Sequence, residues 1–334
     1  MGDIKEFCEK MRERLDASEC MSFSGRVESI SALFEAIELG PKDCVYLSAT
    51  APSYVVRAIL ACGGVPYFCD IAADSFVIDH KSLAEAARQT VATEKLYPRV
   101  VIAEHFGGLP FSIRAVTEIC DRMGLILIED CGSGFGCLWD GRECGCFGDY
   151  SMISLGASSV FGTGGSGCLV MANGDNELHA LIDPCDDLGW QFADDIYAEE
   201  LLQSLKTFPE SLSRAETALA EITDIMKESD FWLRRGSGRQ KSACSATVVI
   251  AQSEAQCEAA AACLASAGLS DLFRRLHVHR RACFEHGCRG FKALENASAL
   301  APRALVIDIL GAIHSGRLDR LKAQMEFIAD NIHA

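Results

Sequence analysis

The sequence predicts an α/β protein with a mostly parallel sheet sandwiched by helices, followed by a smaller C-terminal αβ domain. Short apolar runs typical of buried strands alternate with helical segments at least three times in the N-terminal half. Such crossovers are right-handed, so helices cover both faces of the sheet. A shorter alternation recurs near the C-terminus, and 334 residues leave room for two domains. The predicted boundaries are 1–230 for the large domain and 231–334 for the small one.

Composition and charge exclude several function classes. With 31 Lys+Arg against 47 Asp+Glu, the net charge of -16 repels nucleic-acid backbones and anionic lipids. No apolar run approaches the ~20 residues of a membrane-spanning helix. The N-terminal segment has no apolar core of a secretory signal, so we expect a cytoplasmic protein. Its 17 cysteines are then expected to be mostly reduced thiols.

The large domain begins with a helix and continues through strand–helix pairs. Residues 26–39 place apolar side chains on one helical stripe, which Gly40 and Pro41 end. The predicted strands lie around Val45, around Phe68, at 99–106 and at 125–130. The predicted helices between them include 53–64 and 111–124. Ligands of such sheets bind at the carboxyl ends of the strands.

The segment 132–167 is dense in glycine, which predicts a loop-rich site region. An acidic stretch C-terminal to this segment leads into predicted helices, and the composition of residues 234–242 predicts a flexible linker. The remaining predicted elements are short strands at 150–155, 168–173, 246–251 and 303–310, and helices at about 197–228, 253–268 and 317–333.

One group of cysteines invites a metal interpretation. Cys137, Cys144 and Cys146 lie close together in sequence, but they lack the paired C-x-x-C spacing and no fourth ligand is apparent. No metal site is predicted.

The order of these segments resembles the DegT/StrS family of sugar aminotransferases over roughly residues 20–170. SGRVESISALFEAIELGPKDCVYL is similar to the family's opening helix and its "GPGDEV" motif. IEDCGSGFGCLWDGRECGCFGDYSMISL is similar to the family's central site segment. The resemblance implies the aspartate-aminotransferase fold, a pyridoxal phosphate (PLP) or PMP cofactor, a nucleotide-sugar substrate and a dimer with sites at the subunit interface.

The resemblance also implies roles for five residues. Asp130 matches the carboxylate that keeps the pyridine nitrogen of PLP protonated, and Ser133 matches a polar residue beside the ring. Ser154 and Gly25 match phosphate-binding positions, Gly25 at a helix N-terminus that favours anions. Arg26 stands where the family has a small residue such as threonine. Arg26 either clamps a phosphate or fills the phosphate pocket itself, and both alternatives stay open.

The lysine that forms the Schiff base with PLP has no counterpart. Alignment without a gap places Ser159 at that position, and no lysine occurs between Lys95 and Lys206. Serine cannot form an imine, so any bound PLP or PMP is expected to be noncovalent, or the protein binds no cofactor. Pro52 and Gly165 also stand where the family has a ring-stacking aromatic residue and a glutamate.

For the other candidate reactive groups, the sequence allows both a functional and a purely structural role. His105 could act as a base, although a hydrogen-bonded structural role is the commoner reading for such a histidine. Cys131 is expected to face the pocket, where its reactivity can be tested. His277 and His279 lie in a basic island that could attract an anionic ligand or meet an acidic patch of a partner.

Together these observations predict a family homologue that is non-catalytic and binds a ligand or a partner. The partner would be a second copy of the chain or an active paralogue whose site it completes. The alternative is a lysine-independent PLP or PMP enzyme acting on a nucleotide-linked sugar.

Overall fold

The computed structural model describes residues 4–156, 159–163, 167–176, 178, 197–233, 240–276, 288–290 and 294–333. The strands are β1 Glu19–Phe23, β2 Asp43–Ser48, β3 Val65–Cys69, β4 Tyr97–Glu104, β5 Ile126–Asp130, β6 Leu138–Trp139, β7 Arg142–Glu143, β8 Tyr150–Ser154, β9 Cys168–Ala172, β10 Trp232–Leu233, β11 Gln240–Lys241, β12 Ala246–Ile250, β13 Phe273–Arg275 and β14 Ala304–Asp308. The α-helices are α1 Ile4–Leu15, α2 Arg26–Ala36, α3 Ser53–Ala61, α4 His80–Gln89, α5 Ile113–Met123, α6 Ala198–Ile225, α7 Glu254–Ser266, α8 Glu295–Leu300, α9 Ile309–His314 and α10 Leu318–Asn331.

A seven-stranded sheet in the order β1-β9-β8-β5-β4-β2-β3 forms the larger part of the fold. The neighbours from β8 to β3 are parallel, whereas β8–β9 and β9–β1 are antiparallel. This confirms the predicted α/β class with a mostly parallel sheet. The sequence reasoning missed β1 and α1, because it treated the first twenty residues only as a possible targeting signal.

Both faces of this sheet are buried. The buried apolar side chains form two clusters. Met152 of β8 and Val170 of β9 belong to the first cluster, and their neighbours Ile153 and Leu169 belong to the second. Side chains alternate across a strand, so the two clusters lie on opposite faces. Helices α2 to α5 pack into the first cluster, and α1, α6, α7, α9 and α10 pack into the second.

A second, four-stranded sheet has the order β10-β12-β14-β13 and lies C-terminal in sequence. Its strands and the helices α7 and α10 match the αβ pattern predicted there. The C-terminal chain also returns to the large sheet, because Arg289 bridges to Tyr67. Strand β11 pairs with β6 in a separate three-stranded sheet of the order β11-β6-β7. The predicted boundary at 230/231 stays a prediction.

The parallel strands bring the site residues together at one edge. Glu104 ends β4 and Asp130 ends β5, and the two are paired in register. Between β5 and β8, residues 131–149 of the glycine-rich chain carry only the short hairpin β6–β7, as expected for a loop-rich site region. None of the described helices is both long and apolar enough to cross a bilayer.

Asp70, directly after β3, connects the two parts of the chain. Its buried carboxylate accepts N–H groups of Asn296 and Ala297 at 2.8 Å each, in the first turn of α8. We expect Asp70→Ala to lower the free energy of unfolding by about 2–3 kcal/mol, since it removes the acceptor of both α8 N–H groups and of the Ile71 N–H. Urea denaturation measures this loss, and Asp74→Ala, at an exposed neighbouring carboxylate, is the control. Equal losses in the two variants would contradict the assignment.

Candidate functional site

The centre of the predicted cofactor site is an ion pair. One guanidinium nitrogen of Arg26, Nη2, lies 2.7 Å from Oδ1 and 2.6 Å from Oδ2 of Asp130. The backbone N–H of Gly132 donates to Oδ1 at 2.8 Å. Asp130 is 2 % exposed, so its charge needs a partner within the protein. Arg26 is that partner, and both oxygens of the predicted pyridine-binding carboxylate are engaged.

The surroundings of Arg26 hold its side chain in this position. Its guanidinium carbon lies 5.1 Å from the ring centroid of Tyr54, a cation–π distance. A Cβ added to Gly132 would lie 2.5 Å from Nη1 and from Nη2, so a side chain at 132 would displace the guanidinium. Burial opposes the charge on Arg26, but Asp130 raises its pKa above the ordinary arginine value. The sequence left two alternatives for Arg26, clamping a phosphate or filling the phosphate pocket. The structure shows a third arrangement, in which Arg26 pairs with Asp130.

The N-terminus of α2 carries a carboxylate of the chain itself. Gly25 is the N-cap of the helix and has an extended backbone. The Oε2 atom of Glu28 would lie 2.4 Å from a Cβ at Gly25, so this carboxylate lies against the first turn. An acidic group at this end stabilises the helix and repels a phosphate that approaches the same N–H groups.

Ser159 has a local structural role. It is 3 % exposed, and its hydroxyl accepts the N–H of Phe161 at 3.2 Å. Its own N–H donates to Gly156 and its carbonyl accepts from Gly162, as in a tight turn. The side chain thus stabilises a turn, a common use of serine.

The other residues implied by the resemblance occupy separate positions. The Ser133 hydroxyl accepts the N–H of Gly107 at 3.2 Å. Ser154 ends β8 half-buried and is paired in register with Cys168 of β9. Pro52 is the N-cap of α3, and the aromatic ring near the site comes from Tyr54 instead.

His105 and Cys131 lie inside the protein and not at an open pocket. Both are completely buried, and His105 Nε2 lies 2.9 Å from Oε2 of Glu129. Burial raises the pKa of Cys131 to about 12, so the thiol is a poor nucleophile. The expectation that Cys131 faces the pocket is wrong, because its neighbours are Gly145 and the His105–Glu129 pair. The structural interpretation of His105 fits its position.

Some predicted features fall outside the described residues. These are Gly165, His277, His279, most of the acidic stretch and the segment 234–239.

The sequence reasoning missed Tyr54 and Glu28. The available signal for Tyr54 was an aromatic residue in the first turn of a predicted helix, two positions after Pro52. The signal for Glu28 was a carboxylate in the first turn of α2, where it complements the helix dipole.

A cavity of about 180 Å³ lies beside Ser133. Its lining includes Ser245, Phe273 and Arg274, which lie in or near the C-terminal sheet. The part enclosed by the described residues is smaller than the roughly 300–1,000 Å³ of typical small-molecule sites. It is large enough for a fragment such as a sugar ring.

Known proteins define the class of this fold. The structure aligns with a DegT DnrJ EryC1 StrS aminotransferase from Brucella abortus at a TM-score of 0.83 and 18% identity, covering 98% of this chain and 90% of that one. The PLP form of Spr1654 from Streptococcus pneumoniae aligns at a TM-score of 0.81 and 15% identity, covering 99% and 92%. The chain therefore has the fold of PLP-dependent aminotransferases.

The sequence itself defines the family. The chain belongs to the DegT/DnrJ/EryC1/StrS aminotransferase family, whose profile matches residues 2–326. It is 28% identical to a GDP-perosamine synthase of Vibrio cholerae over 182 residues, 54% of this chain and 46% of that protein. It is 29% identical to a dTDP-3-amino-3,4,6-trideoxy-alpha-D-glucose transaminase of Micromonospora megalomicea over 164 residues, 49% and 42%. In these alignments the chain spans less than half the length of each curated relative.

The site as it stands does not fit PLP in the manner that the resemblance implies. Asp130 would have to release Arg26 before it could meet a pyridine nitrogen, and both groups are cations that compete for one carboxylate. Glu28 lies against the helix end where a phosphate would bind. No reaction step is therefore assigned to a cofactor.

The ion pair makes a testable prediction about stability. Arg26→Met leaves the Asp130 carboxylate buried without its partner, and we expect it to cost about 3 kcal/mol of unfolding free energy. The double variant Arg26→Met/Asp130→Asn removes both charges, and we expect it to recover about half of that loss. Urea unfolding at neutral pH of the wild type, Arg26→Met, Asp130→Asn and the double variant completes the cycle. Additive losses would show that the two side chains do not interact.

Proposed function

We propose that this chain is a non-catalytic member of its family, which binds a sugar-type ligand or a partner subunit without carrying out transamination. The Arg26–Asp130 ion pair is the observation that carries this proposal. It engages the one acidic group that would turn a bound pyridine ring into an electron sink.

The position of Ser159 supports the same conclusion. In the ungapped alignment it replaces the Schiff-base lysine, and its hydroxyl is used by the N–H of Phe161. No lysine elsewhere between residues 96 and 205 offers a substitute amine. Covalent attachment of PLP therefore has no nucleophile in this segment.

The proposed ligand class is a nucleotide-linked sugar, and the proposed place is amino-sugar metabolism in the cytoplasm. The printed names of the curated relatives support this class, since they include GDP- and dTDP-sugar enzymes. The lining of the cavity beside Ser133 contains the cation Arg274 and two carboxylates, those of Asp271 and Asp308. Asp271 is paired with Arg317, and Asp308 accepts the N–H of Gly311. Arg274 is therefore the group proposed to meet an anionic diphosphate next to a sugar.

A titration with PLP and with PMP tests the proposal. We expect no saturable change in the visible spectrum of the wild type, and no covalent adduct by mass spectrometry after borohydride reduction. An adduct would identify a lysine that the alignment misplaces, and saturable binding without an adduct would support the lysine-independent enzyme. Either result would overturn the proposal.

Two variants serve as positive references in this titration. Arg26→Thr releases Asp130 and restores the small residue typical of the family, so we expect weak noncovalent binding of PLP. Arg26→Thr/Ser159→Lys adds the amine, so we expect a borohydride-reducible adduct on residue 159. Circular dichroism of both variants checks that they fold.

The proposed assembly is a homodimer, or a heterodimer with an active paralogue. Light scattering during gel filtration measures it directly. We expect the mass of two chains for the purified protein, and a monomer at micromolar concentration would contradict the homodimer.

A further inference from the structure

A second cluster of chemically active side chains lies on the other side of β5 from Asp130. Consecutive side chains of a strand point to opposite faces, so Glu129 points away from the Asp130 site. Glu129 is surrounded by His105 and three cysteines, and all five side chains are completely buried. The three cysteines are Cys131, Cys137 and Cys144. Nothing in the proposed function uses these groups.

The cluster contains two overlapping sets of metal-binding atoms. The ligand atoms of His105, Cys137 and Cys144 all lie within 4.8 Å of one another. The same holds for His105, Glu129 and Cys131. His105 therefore belongs to both sets, and Cys131 supplies a third thiol beside the same histidine.

Glu129 fixes the orientation of the His105 ring. Its carboxylate accepts the backbone N–H groups of Gly145, Phe147 and Gly148 at 3.0, 2.6 and 2.8 Å. His105 Nε2 completes its contacts at 2.9 Å. These hydrogen bonds favour the carboxylate form, so Nε2 is the nitrogen that carries the proton.

The other ring nitrogen, Nδ1, has no hydrogen-bond partner among the described residues, although it is completely buried. A buried polar atom without a partner is costly, and such atoms in native proteins call for an explanation. The ring is also held by stacking on Phe111, at 4.6 Å between centroids, so it cannot turn freely to find a partner.

A backbone hydrogen bond joins the two cysteines of the first set, Cys137 and Cys144. Cys137 and Cys144 flank the hairpin β6–β7, and the N–H of Cys144 donates to the carbonyl of Cys137 at 3.0 Å. The thiolates of Cys137 and Cys144 neutralise a divalent cation, and the thiolate of Cys131 would leave the filled site with one negative charge.

We propose that His105 Nδ1, Cys137 Sγ and Cys144 Sγ bind a structural zinc ion, with Cys131 as the fourth ligand. Thiolate and imidazole donors are the set that zinc prefers, and a site closed to solvent is typical of structural zinc. A ligating histidine commonly donates its other N–H to a carboxylate, as His105 does to Glu129. This proposal does not depend on the proposed function.

The ion would join parts of the chain that only loops connect. His105 follows β4 and Cys131 follows β5, whereas the other two ligands flank the hairpin. Because β11 pairs with β6, the hairpin also holds the chain that leads into the C-terminal sheet. Zinc would thus stabilise the backbone immediately behind Asp130.

The metal content of the full-length protein, purified without chelator and with a thiol reductant, tests the proposal. We expect about one zinc ion per chain by elemental mass spectrometry. Cys144→Ser is expected to reduce this content at least tenfold. Cys146→Ser is the matched control, since its thiol donates to the carbonyl of Glu143 and it is expected to keep the metal.

Cobalt substitution keeps the test independent of any variant that fails to fold. Co²⁺ added to the metal-free wild type is expected to give the intense near-ultraviolet absorption of thiolate ligation, which Zn²⁺ then removes. Wild-type protein that contains no stoichiometric zinc and shows no such absorption would overturn the proposal. A mass lower by two hydrogens that a reductant reverses would also overturn it, because it would show a Cys137–Cys144 disulfide.

Discussion

The rest of the site depends on how the buried charge of Asp130 is balanced. A carboxylate that is 2 % exposed is tolerated only with a cationic partner or strong hydrogen bonds. In the family that the chain belongs to, the resemblance assigns this role to the protonated ring of the cofactor. Here Arg26 provides the positive charge from the first turn of α2, across 104 residues of sequence. Gly132 leaves the space for it, and Tyr54 lies against its guanidinium.

The C-terminal end of β5 carries a buried carboxylate on each face of the sheet, Glu129 on one and Asp130 on the other. Asp130 points to the side of α2, and its neighbour Glu129 points to the side of the hairpin β6–β7. Each carboxylate orders a loop: Asp130 accepts the N–H of Gly132, and Glu129 accepts three N–H groups from residues 145–148. The chain between 130 and 150 is therefore held in place from both faces, without a regular helix or long strand of its own.

Much of the fold could be predicted from the sequence, because its strands are continuous apolar runs and its helices are amphipathic. The strand at 125–130 and the helix at 111–124 differ from the structure by at most two residues at each end. The partner of Arg26 could not be predicted, since an ion pair between residues 26 and 130 leaves no local pattern. The grouping of His105 with Cys137 and Cys144 was missed for the same reason, because parallel strands bring together ligands that lie far apart in sequence. Cys146, which lies near Cys137 and Cys144 in sequence, instead donates to the backbone carbonyl of Glu143.

In the proposed function, Arg26 is a second obstacle to cofactor chemistry, beside the serine that the ungapped alignment places at position 159. An amine at position 159 would supply a nucleophile, but the acid needed to activate the ring would still be paired with the guanidinium. Conversely, a small residue at position 26 would release Asp130 and leave no group to form the imine. The two positions act on different requirements of the same reaction, so the proposed function implies that restoring either one alone does not restore transamination. In the proposed function, the guanidinium of Arg26 occupies the buried carboxylate that a pyridinium would need.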